Sequence, residues 1–97
     1  MNTINDIVFP AIDEINLTLP AHQKLQKSMD TQLIGKGAWL DSIQLMSFVL
    51  SAEDIILDLT GREISLVTEE AMSRPVNPLT SIRHFADYVE ERLKLNV

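Results

Sequence analysis

Hydrophobic residues follow a helical repeat most clearly between Ser42 and Leu59. When successive residues are turned by about 100° around a helix axis, five polar residues of this stretch fall on one narrow arc. Asp41 is a natural N-cap and Gly61 a natural C-terminal stop. The pattern therefore predicts a helix over about 42–59 with most of its circumference buried. The five polar residues on the arc are Gln44, Ser47, Ser51, Asp54 and Asp58.

The apolar part of this helix is wider than the single stripe that a surface helix needs. We therefore expect the helix to be central in the fold, to line a cavity, or to offer an apolar patch to a partner. The main stripe is Leu45, Phe48, Val49, Ala52, Ile55, Ile56 and Leu59, and the residues that widen it are Ile43, Met46, Leu50 and Leu57.

A first helix is predicted over about 4–17 from its own apolar repeat. Thr3 is placed to cap it, and Asp6 stands in the first turn, where the helix dipole favours a carboxylate. Pro10 lies inside the predicted helix and cannot donate a backbone hydrogen bond, so we expect a kink or a frayed first turn there. A long connection follows over about 19–40, with Pro20, Gly35 and Gly37 within it.

Two more helices complete the prediction. Thr68 is suited to cap a short third helix over about 68–73, and Thr80 or Ser81 to cap a fourth over about 80–93. The chain has no convincing period-two segment of the kind that predicts a strand. We therefore predict one all-α domain over 1–97, a four-helix bundle with a short third helix and a long loop between helices 1 and 2.

Composition narrows the functional classes. The chain has 97 residues, no cysteine and a net charge of −6. The acidic balance disfavours nucleic-acid binding, and no apolar run is long enough to span a membrane. The N-terminus lacks the basic and apolar regions of a signal peptide, so we expect a cytoplasmic protein. We also expect it to be a monomer. No lysine or arginine lies between Lys36 and Arg62, while Asp41, Glu53, Asp54 and Asp58 do.

Ser42 is the main candidate for chemistry. A serine after Asp41 at a helix start is commonly only part of the cap. The same position also favours a phosphate, because backbone N–H groups and the helix dipole point at it. A catalytic triad of Ser42 with His84 and an aspartate lacks a Gly-x-Ser-x-Gly pattern, so we expect no enzyme. The pairs Glu53-Asp54 and Glu69-Glu70 do not converge on a helix, which favours solvated faces and no metal site.

These residues carry a resemblance. The triplet Asp41-Ser42-Ile43 follows a glycine-containing loop at 35–40 and precedes a long helix with a closing helix at suitable spacing. The chain resembles the acyl carrier proteins, small helical bundles in which the serine of an Asp-Ser-(Leu/Ile) pattern carries 4′-phosphopantetheine. The other matching stretches are Leu45-Met46-Ser47-Phe48-Val49-Leu50, Glu53-Asp54, Gly61-Arg62-Glu63-Ile64-Ser65-Leu66 and Leu79-Thr80-Ser81-Ile82-Arg83-His84-Phe85-Ala86-Asp87-Tyr88-Val89.

The resemblance implies a function without catalysis. A phosphopantetheinyl transferase would place the arm of coenzyme A on Ser42, next to Asp41. The thiol of the arm would hold an acyl or aminoacyl group as a thioester, loaded by a ligase and delivered to a downstream synthase or transferase. Such an arm would give a chain without cysteine access to thiol chemistry.

The resemblance also implies a partner-docking face on the second helix. Carriers for fatty acid synthesis usually have carboxylates where this chain has Gln44 and Ser47, so the resemblance is to carriers of a dedicated pathway. The alternative is a cofactor-free helical interaction module that uses the apolar and acidic surface of the second helix. The implied docking residues are Asp41, Ile43, Gln44, Met46, Ser47, Leu50, Ser51 and Asp54.

Overall fold

The computed structural model describes residues 2–35, 38 and 40–95. The described residues form four α-helices and no β-strand, which confirms the all-α architecture. None of these helices combines the length and apolar character needed to cross a lipid bilayer. A π-helical turn at Ile4–Val8 precedes the first α-helix, and a short 3₁₀ turn at Ala21–Gln23 follows it. The α-helices are α1 (Phe9–Asn16), α2 (Ser42–Thr60), α3 (Glu69–Met72) and α4 (Ile82–Leu95).

Pro10 shapes the start of the first helix. The Phe9 N–H donates to the carbonyl oxygen of Ile4, five residues back, so the turn before the proline is wider than an α-helical one. A wider turn gives room to the proline ring, which crowds the preceding turn of a regular helix. The sequence predicted a kink or a frayed turn at this point, and the structure has a π-helical turn instead.

The predicted cap of this helix is wrong. Thr3 makes no side-chain capping hydrogen bond. Asn2 takes that role, because its Oδ1 accepts from the Asn5 N–H at 2.9 Å. The Asn2 N–H in turn donates to Asp6 Oδ2 at 2.7 Å. The cap therefore lies one residue earlier than the sequence pattern indicated. Asparagine is as suitable as threonine for this role.

The connection between α1 and α2 is attached to the fold at two places. Near its start, the Asn16 side chain makes two hydrogen bonds to the backbone of Leu25. Its Nδ2 donates to the Leu25 carbonyl at 3.0 Å, and its Oδ1 accepts from the Leu25 N–H at 2.8 Å. The side-chain amide of Asn16 therefore pairs with both backbone groups of Leu25, as a neighbouring strand would. This pairing holds the buried Leu25 side chain against the core.

Further along, the connection pairs with the residues that open α4. The Leu33 N–H donates to the Thr80 carbonyl, and the Ile82 N–H donates to the Thr31 carbonyl, each at 2.9 Å. The first N–H groups of a helix have no partner within the helix. The connection supplies one for Ile82, and in return its own Leu33 becomes fully buried.

Side-chain contacts hold the second half of the chain together. Thr68 Oγ1 accepts from the Ala71 N–H at 3.1 Å and caps α3. Arg74 lies over the Tyr88 ring, 5.1 Å from its centroid. Its hydrogen bonds to Glu91 and then to Glu70 raise the pKa of the guanidinium above its ordinary value, so the group stays charged. These contacts attach the turn after α3 to α4.

The core lies between α1, α2 and α4. The rings of Phe48 on α2 and Phe85 on α4 meet with their centroids 4.9 Å apart. Aromatic rings at this distance add to the stability that burial itself provides. The other large side chains without solvent exposure are Ile7, Val8, Ile12, Leu33, Val49, Ile56, Leu66, Ile82 and Val89.

Candidate functional site

Ser42 is the first residue of α2, and its side chain is exposed to solvent. Within the part of the chain that the structure describes, its hydroxyl makes no hydrogen bond. The serine is therefore not the cap of the helix, which was the simpler of its two interpretations. Its oxygen is accessible to a reagent from solvent.

Asp41 is the capping residue, as the sequence predicted. Its Oδ1 accepts from the Gln44 N–H at 2.7 Å, and Gln44 Oε1 accepts from the Asp41 N–H at 3.0 Å. This reciprocal pair is a capping box, which fixes the entry of the chain into the helix. Ser42 is held between the two partners, so its Cα position is defined although its side chain is free.

The site fits a phosphate ester. In an α-helix that begins at Ser42, the N–H groups of Ser42 and Ile43 have no partner within the helix, whereas that of Gln44 is taken by Asp41. These donors and the positive end of the helix dipole lie beside the exposed hydroxyl. An anionic group on the Ser42 oxygen would be stabilised there.

One prediction about α2 is wrong. The helix does not bury most of its circumference, because only the side facing the other helices is covered, and Leu59 of the predicted main stripe is 53% exposed. Four residues that widened the stripe lie on one exposed side of α2, here called the apolar line: Ile43 (78% exposed), Met46 (40%), Leu50 (54%) and, two turns further on, Leu57 (43%). Within the described residues these side chains stay exposed, so this side of α2 presents an apolar patch.

The residues implied for partner docking lie together around this line. Asp41, Ser47 and Asp54 are exposed, as are Ile43, Met46 and Leu50, while Gln44 and Ser51 are half-buried. Leu57 and Asp58 continue the same face for one more turn and were not among the implied residues. Their spacing of seven and eight residues from Leu50 is the signal that places them there.

The adjacent residues Glu53 and Asp54 have different surroundings in the fold. Glu53 Oε2 accepts from the backbone N–H of Leu66 at 2.8 Å and is half-buried. Asp54 is exposed on the side of α2 that carries the apolar line. The expectation of a solvated position was therefore wrong for Glu53, because a residue distant in the sequence lies against it.

His84 is paired with Ser81. Its Nδ1 lies 2.6 Å from Ser81 Oγ, and the same oxygen accepts from the His84 N–H at 3.3 Å. Ser81 therefore occupies the capping position of α4. The imidazole of His84 is therefore hydrogen-bonded to Ser81. A catalytic triad would require it to bond to Ser42 instead.

Comparisons of the chain with protein-family models, with characterised proteins and with solved structures gave no match. The resemblance to acyl carrier proteins therefore depends on the residues around Ser42 and on the helix order. Lys36, Gly37 and Trp39 of the glycine-containing loop lie outside the described residues. Function is inferred from Ser42, its cap and the exposed face of α2.

Proposed function

We propose that the chain is a carrier that holds acyl or aminoacyl groups on a 4′-phosphopantetheine arm attached to Ser42. The observation that supports this most directly is the exposed, unengaged hydroxyl at the first position of α2, fixed by the capping box of Asp41 and Gln44. When bound, the arm supplies a thiol that forms thioesters. The protein itself contributes the attachment point and a surface for partner enzymes.

Attachment requires one substitution at phosphorus. The Ser42 Oγ attacks the phosphorus that bears pantetheine in coenzyme A, and a new oxygen–phosphorus bond forms. The bond to the bridging oxygen of the diphosphate breaks, and adenosine 3′,5′-bisphosphate leaves with the electron pair. The hydroxyl proton passes to a base on the transferase. The exposure of Ser42 allows this approach, and the N–H groups of the first turn favour the anionic product.

The exposed face of α2 is the proposed contact for partner enzymes. Near Ser42 it is apolar and neutral, with Ile43 and Ser47, and further along it carries Asp54 and Asp58. A matching partner has an apolar surface beside its active site and basic groups beyond it. Such groups increase the rate of encounter more than they increase affinity. The neutral residues near the serine support partners of a dedicated pathway.

Mass spectrometry of the intact protein tests the proposal. The chain is incubated with coenzyme A and a promiscuous phosphopantetheinyl transferase. We expect the mass to increase by one phosphopantetheine. Ser42→Ala is expected to abolish the increase, and Ser47→Ala, which removes another exposed hydroxyl of the same helix, to leave it. An unchanged wild-type mass, or an equal increase in Ser42→Ala, contradicts the proposal.

The apolar line of Ile43, Met46, Leu50 and Leu57 supports a second candidate, a cofactor-free interaction module. Exposed apolar residues grouped on one side of a helix are typical of protein interfaces. If this candidate is correct, the transferase does not modify the chain. The chain instead forms a stable complex with its partner protein, which persists in Ser42→Ala and is lost in Leu50→Ser. If the chain is a carrier, the lifetime of its complexes with partner enzymes instead depends on the modification of Ser42.

A further inference from the structure

Gln44 lies two residues after Ser42, and its side chain turns back toward the start of α2. Gln44 Oε1 accepts from the Asp41 N–H at 3.0 Å, while the Gln44 N–H donates to Asp41 Oδ1 at 2.7 Å. The Gln44 side chain is half-buried, whereas Ile43 before it and Met46 after it are exposed. A side chain that is bonded to the cap in this way is not extended toward a partner protein.

The capping box is flanked on both sides by apolar residues. Leu40 precedes Asp41 and Leu45 follows Gln44, and both leucines are half-buried against the core. Apolar residues at these two positions form a hydrophobic staple, which fixes the angle at which the chain enters a helix. The Leu45 N–H also donates to the Asp41 carbonyl at 2.9 Å. The short turn that carries Ser42 is therefore held at both of its ends.

Ser42 depends on this turn for its position. Its hydroxyl makes no hydrogen bond within the described residues, so no hydrogen bond of its own orients it. Attack on phosphorus requires the oxygen to lie in line with the bond that breaks, and a misplacement of about 1 Å can lower a rate by a factor of about 100. The backbone on either side of the serine must therefore supply the orientation.

We propose that Gln44 is a positioning residue for the transfer of phosphopantetheine to Ser42, and not a docking residue for the transferase. This inference rests on the proposed function, since it concerns the same serine. Gln44 acts through the backbone of Asp41. Its acceptor oxygen keeps the cap closed, and the closed cap holds Ser42 in the orientation that the transferase meets. The resemblance to acyl carrier proteins implied a docking role for Gln44, which a side chain bonded to the cap does not fill.

Single-turnover kinetics test the inference. A promiscuous phosphopantetheinyl transferase, in excess over the carrier, is mixed with saturating coenzyme A, and intact mass follows the modified fraction. Varying the transferase concentration gives a maximal rate, which reports positioning, and a half-saturating concentration, which reports docking. Gln44→Ala removes the acceptor, and Gln44→Glu keeps an oxygen at the same reach and can close the capping box. Gln26→Ala, at an exposed glutamine of the connection between α1 and α2, is the matched control.

We expect Gln44→Ala to lower the maximal rate about tenfold and to leave the half-saturating concentration unchanged. Gln44→Glu is expected to recover the wild-type maximal rate, and Gln26→Ala to change neither quantity. A higher half-saturating concentration at an unchanged maximal rate identifies Gln44 as a docking residue and overturns the inference. A glutamate variant that stays as slow as the alanine variant overturns it as well, because the capping box is then not the cause.

Hydrogen exchange at the Asp41 amide reports the cap directly. In Gln44→Ala this amide loses its acceptor and should exchange faster than in the wild type, while Gln44→Glu should keep the slower exchange. Equal exchange in all three proteins contradicts the proposed action of Gln44 on Asp41.

Failure of the inference is distinguishable from failure of the proposed function. If the wild-type chain is not modified, or Ser42→Ala is modified equally, the carrier function itself is contradicted. Normal modification of the wild type with an unchanged maximal rate in Gln44→Ala leaves the carrier function intact and contradicts only the role of Gln44.

Discussion

The phenol hydroxyl of Tyr88 donates to the backbone carbonyl oxygen of Leu66 at 2.7 Å. The N–H of the same residue donates to Glu53 at 2.8 Å. Leu66 is thus held from α4 through its carbonyl group and from α2 through its amide group. The connection that leads to α3 has no regular secondary structure around Leu66, and these two bonds replace the pairing that a strand or helix would provide.

Tyr88→Phe is expected to lower the free energy of unfolding by about 1–2 kcal/mol, because a buried carbonyl loses its donor. The ring and its contact with Arg74 remain in the variant, so packing is little changed. Urea denaturation followed by circular dichroism measures the difference. A stability equal to that of the wild type would show that the hydrogen bond contributes nothing.

The adjacent carboxylates of α2 offer a matched comparison. Glu53→Ala is expected to cost about 1–2 kcal/mol, since the Leu66 N–H loses its acceptor. Asp54→Ala, one residue along on the exposed face, is expected to change stability by less than about 0.5 kcal/mol. The same urea experiment compares them. Equal effects would mean that the contact of Glu53 with Leu66 does not distinguish the two residues.

The cap of α2 is tested at Asp41. Asp41→Ala is expected to lower stability by about 1 kcal/mol, because the Gln44 N–H loses its acceptor, whereas Asp41→Asn keeps an oxygen at that position and is expected to retain most of the stability. Thermal unfolding of the two variants is compared with the wild type. The prediction is wrong if alanine and asparagine behave alike.

Asn16 is expected to be important for the order of the connection between α1 and α2. Asn16→Ala removes both hydrogen bonds to Leu25 and is expected to cost about 2 kcal/mol. The local consequence is measured by hydrogen exchange at the Leu25 amide, which should become faster than in the wild type. Asn16→Asp keeps the acceptor for that amide and should exchange more slowly than Asn16→Ala. Unaltered exchange in the alanine variant would contradict the proposed attachment.

Local signals in the sequence were sufficient for the ends of α2. Asp41 caps it, and Gly61 closes it with φ of 72°, a left-handed conformation that glycine adopts without strain. Thr68 caps α3 in the same predictable way. In each case the residue acts on backbone groups within four positions, so the sequence pattern contains the whole interaction.

Interactions between distant residues were not predictable in this way. Glu53 and Asp54 look alike in the sequence, and only the position of Leu66 separates them. The apolar width of α2 was compatible with burial or with an exposed patch, because periodicity does not say how many neighbours a helix has. The pairing of Asn16 with Leu25 likewise depends on how the connection returns to α1. The position of Ser42 as the first residue of α2 was predictable because it follows from the cap at Asp41, and its chemistry stays a prediction.

The pairing of Leu33 with Thr80 has a mechanical consequence. Only the segment from Ile34 to Asp41 lies between this attachment and the start of α2, and eight residues span at most about 29 Å. The first turns of α2 and α4 are therefore connected by a short segment as well as through the core. A group attached to Ser42, as proposed, would therefore stay within that distance of the first turn of α4, whichever way the intervening segment moves.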